Sequence, residues 1–245
     1  MTPEAMTAEA RLRRPGRPHV LIGACGSANI LNLPTYLTTI ASDCGAELRV
    51  VLTASAGAFL PAASLRLLVE RVAAADDPPL AHNHVEWARW ADLVCVLPAT
   101  AHTIAAAAHG LADSFLTTTL LAHHHSVTFF PSMNEQMLGN PAVRRNIKTL
   151  REDGHQIVLP RPGLSYEAAS GTYEERLSVP GPEAVARYVS GALRLRTGAA
   201  GKAAKAETAE AGEAPEVKEK GEVPEAVEKG EVSEAAEKGE SRAAG

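Results

Sequence analysis

Short apolar runs alternate along the chain with longer stretches in which apolar and polar residues are mixed at helical spacing. Five runs are rich in Val, Ile, Leu and Phe, which is typical of strands that are buried on both faces. They are residues 19–22 (HVLI), 48–53 (LRVVLT), 92–97 (DLVCVL), 126–130 (SVTFF) and 155–159 (HQIVL). The stretches between them predict helices over residues 30–41, 59–71, 104–108, 114–122 and 142–152.

This alternation of strands and helices predicts an α/β fold, a doubly wound Rossmann-like parallel sheet with helices on both faces, in a single domain. In such sheets, ligands bind in the crevice beyond the carboxyl ends of the strands. Candidate functional residues are therefore expected in the segments that directly follow the strands.

The periodic pattern is confined to residues 18–197. Residues 1–17 are rich in Arg, Pro and Ala and predict a flexible leader, and no apolar segment of the kind found in secretory signals follows them. Residues 198–245 contain GEVPEAVEK followed by GEVSEAAEK, with Glu at every third position. This composition predicts a disordered low-complexity tail, and a partner-binding acidic arm is the less favoured alternative.

Charge distinguishes the tail from the rest of the chain. The net charge is −5, and residues 199–245 alone carry seven Lys or Arg and twelve Glu, so the remaining residues are balanced. A balanced domain has no bulk attraction to nucleic acid or to an anionic membrane, and no apolar run approaches the length that spans a bilayer. We therefore expect no nucleic-acid or membrane partner, and a cytoplasmic location.

Small and hydroxyl-bearing residues follow four of the five predicted strands. The segments are Gly23–Asn29 (GACGSAN), Thr53–Ala56 (TASA), Pro98–Thr103 (PATAHT) and Pro131–Met137 (PSMNEQM). Backbone amides and hydroxyls at the start of a helix bind phosphate, but the same residue types also form tight turns and helix caps. The residues by themselves leave both interpretations open.

Histidines and cysteines give weaker indications. His84 precedes the third strand, and a lone histidine is most often structural or at the surface. The run His123–His125 is reminiscent of a metal-binding tract, but adjacent side chains point in different directions, so we expect a solvated helix end or loop. Three cysteines without a CxxC pair argue against a disulfide framework or a zinc site. We therefore predict no metal site.

Taken together, the strand-end segments resemble the homo-oligomeric flavin-containing cysteine decarboxylases over roughly residues 19–180. The most specific pieces are PATAHT (Pro98–Thr103), which is similar to the family's PASANT, and PSMNEQM (Pro131–Met137), which fits PxMNxxM. The two motifs occur in the family's order and at its spacing. The family includes phosphopantothenoylcysteine decarboxylase and the lanthipeptide decarboxylases that form aminovinyl-cysteine.

The resemblance implies a flavin cofactor, FMN with FAD as a possibility. It makes His84, fourteen residues before Pro98, the catalytic base, and it makes Asn134 the residue that holds the substrate carboxylate or backbone. Met137 would also contact the substrate, as would Ser170 and Gly171 in a flexible clamp. The implied cofactor-binding residues are Gly23, Ala24, Gly26, Ser27, Thr53, Ser55, Ala99, Thr100, Ala101, His102 and Thr103.

Among the positions at which this chain departs from the family's pattern, two bear on its chemistry. His102 stands where the motif usually has Asn, and an imidazole is bulkier than an amide and can carry charge. Ser170 stands where the coenzyme A members have a cysteine that completes a reduction after decarboxylation. A hydroxyl replaces a thiol poorly in that step because its pKa is far higher. An enzyme without the reduction should release the oxidised enethiol.

We therefore predict the flavin-dependent oxidative decarboxylation of the C-terminal cysteine of a ribosomally made precursor peptide to an enethiol, for aminovinyl-cysteine formation in a lantibiotic. The predicted partner is that Cys-terminal peptide, and the assembly implied by the family is a homotrimer or homododecamer. Two alternatives stay open: phosphopantothenoylcysteine decarboxylase of coenzyme A biosynthesis, and a non-catalytic flavoprotein regulator.

Overall fold

A computed structural model describes residues 16–78, 80–167 and 171–210. Six parallel strands form the main sheet in the order β3-β2-β1-β4-β5-β6. They are β1 (His19–Ala24), β2 (Glu47–Leu52), β3 (Arg71–Ala73), β4 (Leu93–Ala99), β5 (Val127–Pro131) and β6 (Gln156–Ile157). The chain starts in the middle of the sheet and builds one half before the other, so the strand order reverses between β1 and β4. The predicted doubly wound α/β fold is confirmed.

Helices cover both faces of the sheet. After a 3-10 helix at Ala28–Asn32, they are α1 (Leu33–Cys44), α2 (Ala54–Gly57), α3 (Ala62–Leu65), α4 (His84–Trp90), α5 (Ala101–Ala108), α6 (Phe115–Ala122), α7 (Glu135–Gly139), α8 (Pro141–Glu152) and α9 (Pro182–Glu210). A separate antiparallel hairpin is formed by β7 (Arg161–Glu167) and β8 (Thr172–Ser178).

Alternate residues of the central strands supply two hydrophobic cores. On β1, Val20 and Ile22 belong to the core that contains residues of α1 and α9, whereas Leu21 belongs to the core that contains residues of α4, α5, α6 and α8. Because successive side chains of a strand point to opposite faces, an uninterrupted apolar run fills both cores. This is why the central strands could be located from the sequence.

The predicted helix over residues 59–71 is wrong. That segment contains only the short helix α3, which starts after Pro61, and its last residue begins β3. Leu67 is 86% exposed, so the apolar spacing does not mark a buried helical face. The three-residue strand β3 forms because it pairs with β2 at the edge of the sheet, and such tertiary pairing overrides local helix propensity.

Besides β3 and the short helices α2 and α7, the elements that were not predicted are helix α4, the β7–β8 hairpin and helix α9. Helix α9 did carry a sequence signal, because Val185, Val189 and Leu193 follow one another at intervals of four residues and are all buried. Such spacing places side chains on one face of a helix. The hairpin strands contain Pro162 and Gly163 and many charges, which weaken the alternating pattern of a strand.

The chain divides into two compact units, Met1–Lys202 and Ala203–Gly245. In the second unit the structure describes only residues 203–210, which are helical. Most of the predicted leader and of the predicted tail lies outside the described residues. Among the residues that are described, no helix has the length and apolar character needed to cross a membrane.

The prediction of a solvated histidine run is wrong for His123, which is buried at the end of α6, whereas His124 and His125 are exposed. The His123 Nδ1–H donates to the Ala88 carbonyl at 3.0 Å. Burial is the main cause that lowers the pKa of His123 to about 4. In the described part of the chain, no three His, Cys, Asp or Glu side chains are grouped so as to hold a metal ion.

We expect the buried neutral His123 to make the folded state less stable as the pH falls. In an unfolded chain a histidine titrates near about pH 6.5, so between that pH and about 4 the unfolded state binds a proton that the folded state does not. The unfolding free energy should fall with a limiting slope of about 1.4 kcal/mol per pH unit in this window. Urea unfolding at several pH values between 7 and 5 measures the slope.

Replacing His123 with glutamine should flatten this pH dependence, and His124→Gln, which changes an exposed neighbour, should leave it as it is. His155 is also partly buried, and burial lowers its pKa too, but it is present in both variants. The difference between the two slopes therefore reports on His123 alone. Equal slopes would contradict the assignment.

Candidate active site

The strand-end segments predicted from the sequence meet where the strand order reverses. The Cys25 amide donates a hydrogen bond to the Pro98 carbonyl at 3.1 Å, which joins the loop after β1 to the end of β4. The Thr53 amide donates to the Ala24 carbonyl at 3.0 Å, which joins the end of β2 to the same loop. Backbone hydrogen bonds therefore hold the ends of β2, β1 and β4 side by side.

A polar cluster joins the ends of β1 and β5. The Ser132 amide donates to the Ala99 carbonyl at 2.8 Å. The Ser132 hydroxyl oxygen accepts hydrogen bonds from the Ser27 hydroxyl at 3.0 Å and from the Asn29 side-chain amide at 2.8 Å. Ser132 is only 8% exposed. Ser27 was predicted to bind the cofactor, whereas Ser132 and Asn29 were not singled out although each lies within a strand-end segment.

The loops after β1 and β2 pack so closely that only glycine fits between them. A Cβ atom on Gly26 would lie 2.6 Å from the Cβ of Ser55 and 2.8 Å from its carbonyl carbon. Gly23, by contrast, lies within β1, and a Cβ there would collide with the Leu116 side chain of α6. Gly26 thus permits the close approach of these two loops, whereas Gly23 permits the packing of α6 against β1.

Two of the predicted cofactor-binding hydroxyls also cap helices. The Thr53 hydroxyl oxygen accepts from the Ala56 amide at 3.3 Å at the start of α2. The Thr100 hydroxyl oxygen accepts from the Thr103 amide at 3.5 Å at the start of α5. The capping interpretation of the Thr53–Ala56 segment is confirmed for Thr53, and Thr100 caps α5 in the same way. Ser55 lies 3.3 Å from the Thr53 hydroxyl and is exposed, so its hydroxyl can reach a ligand.

A buried thiol lies beneath this row of hydroxyls. The Cys25 Sγ is 3.1 Å from the Thr103 hydroxyl oxygen, and both side chains are buried. Burial raises the pKa of the Cys25 thiol. The thiol therefore stays protonated near neutral pH and acts as a hydrogen-bonding partner of Thr103, not as a nucleophile.

These residues fit the phosphate and polyhydroxyl chain of a flavin. In the described part of the chain, the hydrogen-bonding groups of the cluster are hydroxyl, amide, thiol and backbone groups, and no carboxylate among them opposes a bound phosphate. The cluster also lies at the reversal of strand order, where doubly wound sheets bind nucleotides. Ser27, Thr53, Ser55 and Thr100 are the side chains that could hold the cofactor.

Asn134 presents a donor to the same region. It follows β5 and caps α7, and its Oδ1 accepts from the Met137 amide at 2.8 Å. Because the oxygen is engaged, the Nδ2 amino group is the end that can bind a ligand, and it has no hydrogen-bond partner among the described residues. Such a group can only donate, which suits a carboxylate. The Met137 side chain is also exposed.

His84 lies at the first position of α4, after Asn83, whose side chain caps the helix. The imidazole is half-buried, and among the described residues it has no hydrogen bond or ion pair. No such contact links it to Asn134 or to the hydroxyl cluster. The structure therefore leaves its ring nitrogens available to a ligand without joining the two predicted catalytic residues directly.

The remaining predicted positions are spread around the cluster. His102 is 77% exposed on α5, and its Nε2 lies 3.8 Å from the Asp113 carboxylate. Ala101 precedes it in the same helix. Gly171 lies in the hairpin turn with a positive φ of 67°, and Ser170 falls outside the described residues.

A cleft of about 750 Å³ adjoins the hydroxyl cluster. The 3-10 helix, the open end of the β7–β8 hairpin and the first turns of α9 form its walls, and Asn29 belongs to both cleft and cluster. Arg161 lines the cleft and donates to the Tyr188 hydroxyl at 3.3 Å. The cleft is an open space next to the predicted flavin position, and both apolar and polar residues line it.

Residues 9–179 match the model of the Flavoprotein family. The chain therefore belongs to this family. Its predicted place among the homo-oligomeric flavin-containing cysteine decarboxylases is confirmed by the relatives described next, and with it the prediction that the chain is an enzyme of this group.

Among curated proteins, the chain is 35% identical to mersacidin decarboxylase of Bacillus sp. (strain HIL-Y85/54728) over 179 residues, which are 73% of this chain and 92% of that protein. It is 30% identical to epidermin decarboxylase of Staphylococcus epidermidis over 170 residues, which are 69% and 93%. It is also 38% identical to the coenzyme A biosynthesis bifunctional protein CoaBC of Bacillus subtilis (strain 168) over 148 residues, but these are 59% of this chain and only 36% of that protein.

Solved structures agree with these relatives. MrsD from Bacillus sp. HIL-Y85/54728 superposes with a TM-score of 0.63 at 32% identity, covering 72% of this chain and 96% of that one. A histidine-to-asparagine variant of EpiD complexed with a substrate peptide gives 0.66 at 29% identity, covering 71% and 98%. The FMN-dependent cysteine decarboxylase SpaF gives 0.60 at 32% identity, covering 74% and 97%.

Proposed function

We propose that this enzyme oxidatively decarboxylates the C-terminal cysteine of a ribosomally made precursor peptide to an enethiol, for aminovinyl-cysteine formation in a lantibiotic. The observation that carries the proposal is the match over almost the full length of two lanthipeptide decarboxylases, at 92% and 93% of their lengths. The chain spans only 36% of CoaBC. Ser170, in place of the cysteine expected of a reducing member, favours release of the enethiol.

The proposed cofactor is FMN, held through its phosphate and ribityl chain by Ser27, Thr53, Ser55 and Thr100. The hydroxyl cluster and the close approach at Gly26 support this assignment, and the FMN dependence of SpaF agrees with it. The bound flavin supplies the two-electron oxidation that removes two hydrogens from the substrate cysteine. The protein supplies binding, orientation and proton transfer.

His84 is the proposed catalytic base. Oxidation of the cysteine side chain to a thioaldehyde requires that a proton leave the substrate, and a half-buried imidazole without other partners among the described residues can accept one. The new C=S bond then takes up the electron pair that is left when the carboxylate departs as carbon dioxide. Protonation of the resulting anion gives the enethiol.

Asn134 is the proposed anchor of the substrate carboxylate. Its amino group donates to the anion, while its oxygen is held by the Met137 amide, so the side chain is fixed before the substrate arrives. Met137 and the hairpin residues Ser170 and Gly171 are proposed to contact the peptide. The preceding peptide residues are proposed to lie in the cleft of about 750 Å³ beside Asn29.

The proposed assembly is a homotrimer or homododecamer located in the cytoplasm. Large apolar side chains that are exposed on the single chain, among them Leu67 and Leu80, support a buried contact between copies, because such side chains at a surface often mark interfaces. Light scattering of the purified flavoprotein distinguishes three from twelve subunits.

Product analysis tests the proposed function. The protein is incubated with a short peptide that ends in cysteine and, separately, with phosphopantothenoylcysteine, and the product masses are recorded. We expect the peptide to lose carbon dioxide and two hydrogens. Conversion of phosphopantothenoylcysteine to a saturated thiol, with no change in the peptide, would instead favour the coenzyme A function. A protein that cannot be loaded with flavin would support neither enzyme.

A further inference from the structure

A basic groove adjoins the cleft in which the peptide is proposed to lie. The groove has a volume of about 400 Å³ and is bounded by β6, the start of β7 and one face of α9. Arg161, Ala184 and Tyr188 line both the groove and the cleft of about 750 Å³. The two spaces therefore share a wall, and a peptide that occupies the cleft lies beside the groove.

The face of α9 that lines the groove is open to solvent. Ala184, Tyr188, Gly191 and Leu195 line it and follow one another at intervals of three or four residues, which places their side chains on the same side of a helix. Two of these four residues are small, so they leave room for a ligand. Arg187 stands next to Tyr188 on the helix and also lines the groove.

Two guanidinium groups give the groove its charge. Arg161 and Arg187 both line it, and both are exposed. Neither arginine forms an ion pair within the part of the chain that the structure describes. Of the described residues that line the groove or the cleft, none carries a carboxylate. Two cations without a counter-charge attract an anion, and guanidinium groups bind carboxylates well because they can donate two hydrogen bonds at once.

Tyr188 holds the Arg161 side chain against the shared wall. The Arg161 Nη2 donates to the Tyr188 hydroxyl at 3.3 Å. The Tyr188 ring in turn packs edge-on against the buried Phe130, with a centroid distance of 6.4 Å. Only one nitrogen of Arg161 is engaged in this contact, and the other N–H groups of the guanidinium are left to bind a ligand. The positive charge is therefore positioned where the cleft meets the groove.

A carboxylate near the cleft limits where an anion can bind. Tyr36 lines the cleft but not the groove. Burial is the main cause that raises the pKa of Tyr36, and the charge of Glu183 raises it further. An anion beside Tyr36 would be repelled by Glu183, whereas an anion beside Arg161 and Arg187 would be attracted.

We propose that Arg161, together with Arg187, selects precursor peptides that carry an acidic side chain upstream of the C-terminal cysteine. This inference rests on the proposed function and names a feature of its substrate. The carboxylate of an upstream Glu or Asp residue accepts hydrogen bonds from the Arg161 guanidinium, and Arg187 adds a weaker attraction from the groove. Both arginines act on the binding of the peptide and not on the oxidation of its cysteine.

Peptide kinetics with the holoenzyme test this selection. Short Cys-terminal peptides carry a single Glu at each upstream position in turn, and matched peptides carry Gln or Lys there. At one position we expect the KM of the Glu peptide to be about fivefold below that of the Gln peptide at low salt. The kcat should not change, because the contact is the same in the ground state and the transition state. The difference in KM should shrink at high salt, since ions screen exposed charges.

Reversing the charge identifies the residue that selects the peptide. Arg161→Gln should abolish the preference for Glu, and Arg161→Glu should reverse it, so that the Lys peptide has the lower KM. Arg187→Gln should reduce the preference to about twofold. Arg145→Gln is the matched control, because Arg145 is an exposed arginine on α8, whose Ile147 and Leu150 pack in the other core. It should keep the full preference.

Several outcomes would overturn the selection by Arg161. If the Glu, Gln and Lys peptides have the same KM, or if Arg161→Glu still prefers the Glu peptide, the arginines do not select the substrate, but the proposed function stands. A lower kcat at an unchanged KM would show that Arg161 acts in the reaction instead. If only phosphopantothenoylcysteine is converted, and Arg161→Gln raises its KM, the guanidinium binds a phosphate and both proposals are wrong. If no Cys-terminal peptide is converted, both proposals fail.

Discussion

Replacing His84 with alanine should lower the turnover of a Cys-terminal peptide by about 10²-fold to 10⁴-fold, because a positioned general base contributes this much to a proton-transfer step. The flavin spectrum and the oligomeric state should not change. His84 has no hydrogen bond or ion pair among the described residues, and it lies in a different segment from the hydroxyls proposed to hold the flavin. Its removal should therefore affect the reaction and not the binding of the cofactor.

The matched variants separate catalysis from binding. His84→Asn should still bind the peptide without converting it, since the substitution replaces only the imidazole. His109→Ala removes an exposed histidine at the end of α5 and should keep full activity. If His84→Ala retained turnover at the level of His109→Ala, His84 could not be the base.

The sheet could be predicted from the sequence because burial on both faces leaves an unambiguous pattern. β1, β2, β4 and β5 were all placed to within about two residues, and their apolar runs supply both cores. Of the two edge strands, β6 lies within the predicted run 155–159, although it has only two residues, whereas the three-residue β3 was missed. A strand such as β3 is defined by pairing with its neighbour, and no local pattern shows that pairing.

Helix α4 could not be recognised from the pattern of apolar and polar residues. The segment from His84 to Trp90 contains two tryptophans and an arginine, and it was treated as a connection to the third predicted strand. The helix is only seven residues long, which is less than two full turns and too short for a clear period. Its start was nevertheless marked by Asn83, a residue type that caps helices.

The sequence predicted which segments form the candidate site, but it did not predict which side chains contact one another there. That the residues after β1, β2, β4 and β5 meet follows from the topology of a doubly wound sheet. Which atoms meet could not be predicted: the sharing of the Ser132 oxygen by Ser27 and Asn29, and the pairing of His82 with Asp77, both depend on side-chain directions in the folded chain. Residues that bridge distant segments leave no local pattern.

Arg49 should be the most sensitive charged residue for stability. It lies in β2 with its side chain only 2% exposed, and its guanidinium donates two hydrogen bonds of 3.1 Å to the Glu70 carboxylate. It also lies 3.5 Å from Glu86 and 4.1 Å above the ring centroid of Trp90. Successive residues of β2 alternate between the two cores, so Arg49 points into the side occupied by α4.

Arg49→Met should lower the unfolding free energy by about 3 kcal/mol, since it removes one partner of a buried ion pair and leaves Glu70 without a counter-charge. The loss is at the lower end of the usual range because the Glu70 side chain is 26% exposed and water can solvate it. Urea unfolding of the flavin-loaded protein measures the change through the midpoint at a constant m-value.

Arg71→Met is the matched control, because Arg71 pairs with Glu86 at 2.8 Å but is 35% exposed. A partly exposed pair should contribute at most about 1 kcal/mol.

The double variant Arg49→Met with Glu70→Gln should recover part of the loss, since no unpaired charge is left in the core. Equal losses of unfolding free energy for Arg49→Met and Arg71→Met would show that burial of the guanidinium does not determine how much it contributes to stability. Both residues lie towards the amino ends of their strands, away from the hydroxyl cluster, so flavin binding should be the same in all these variants.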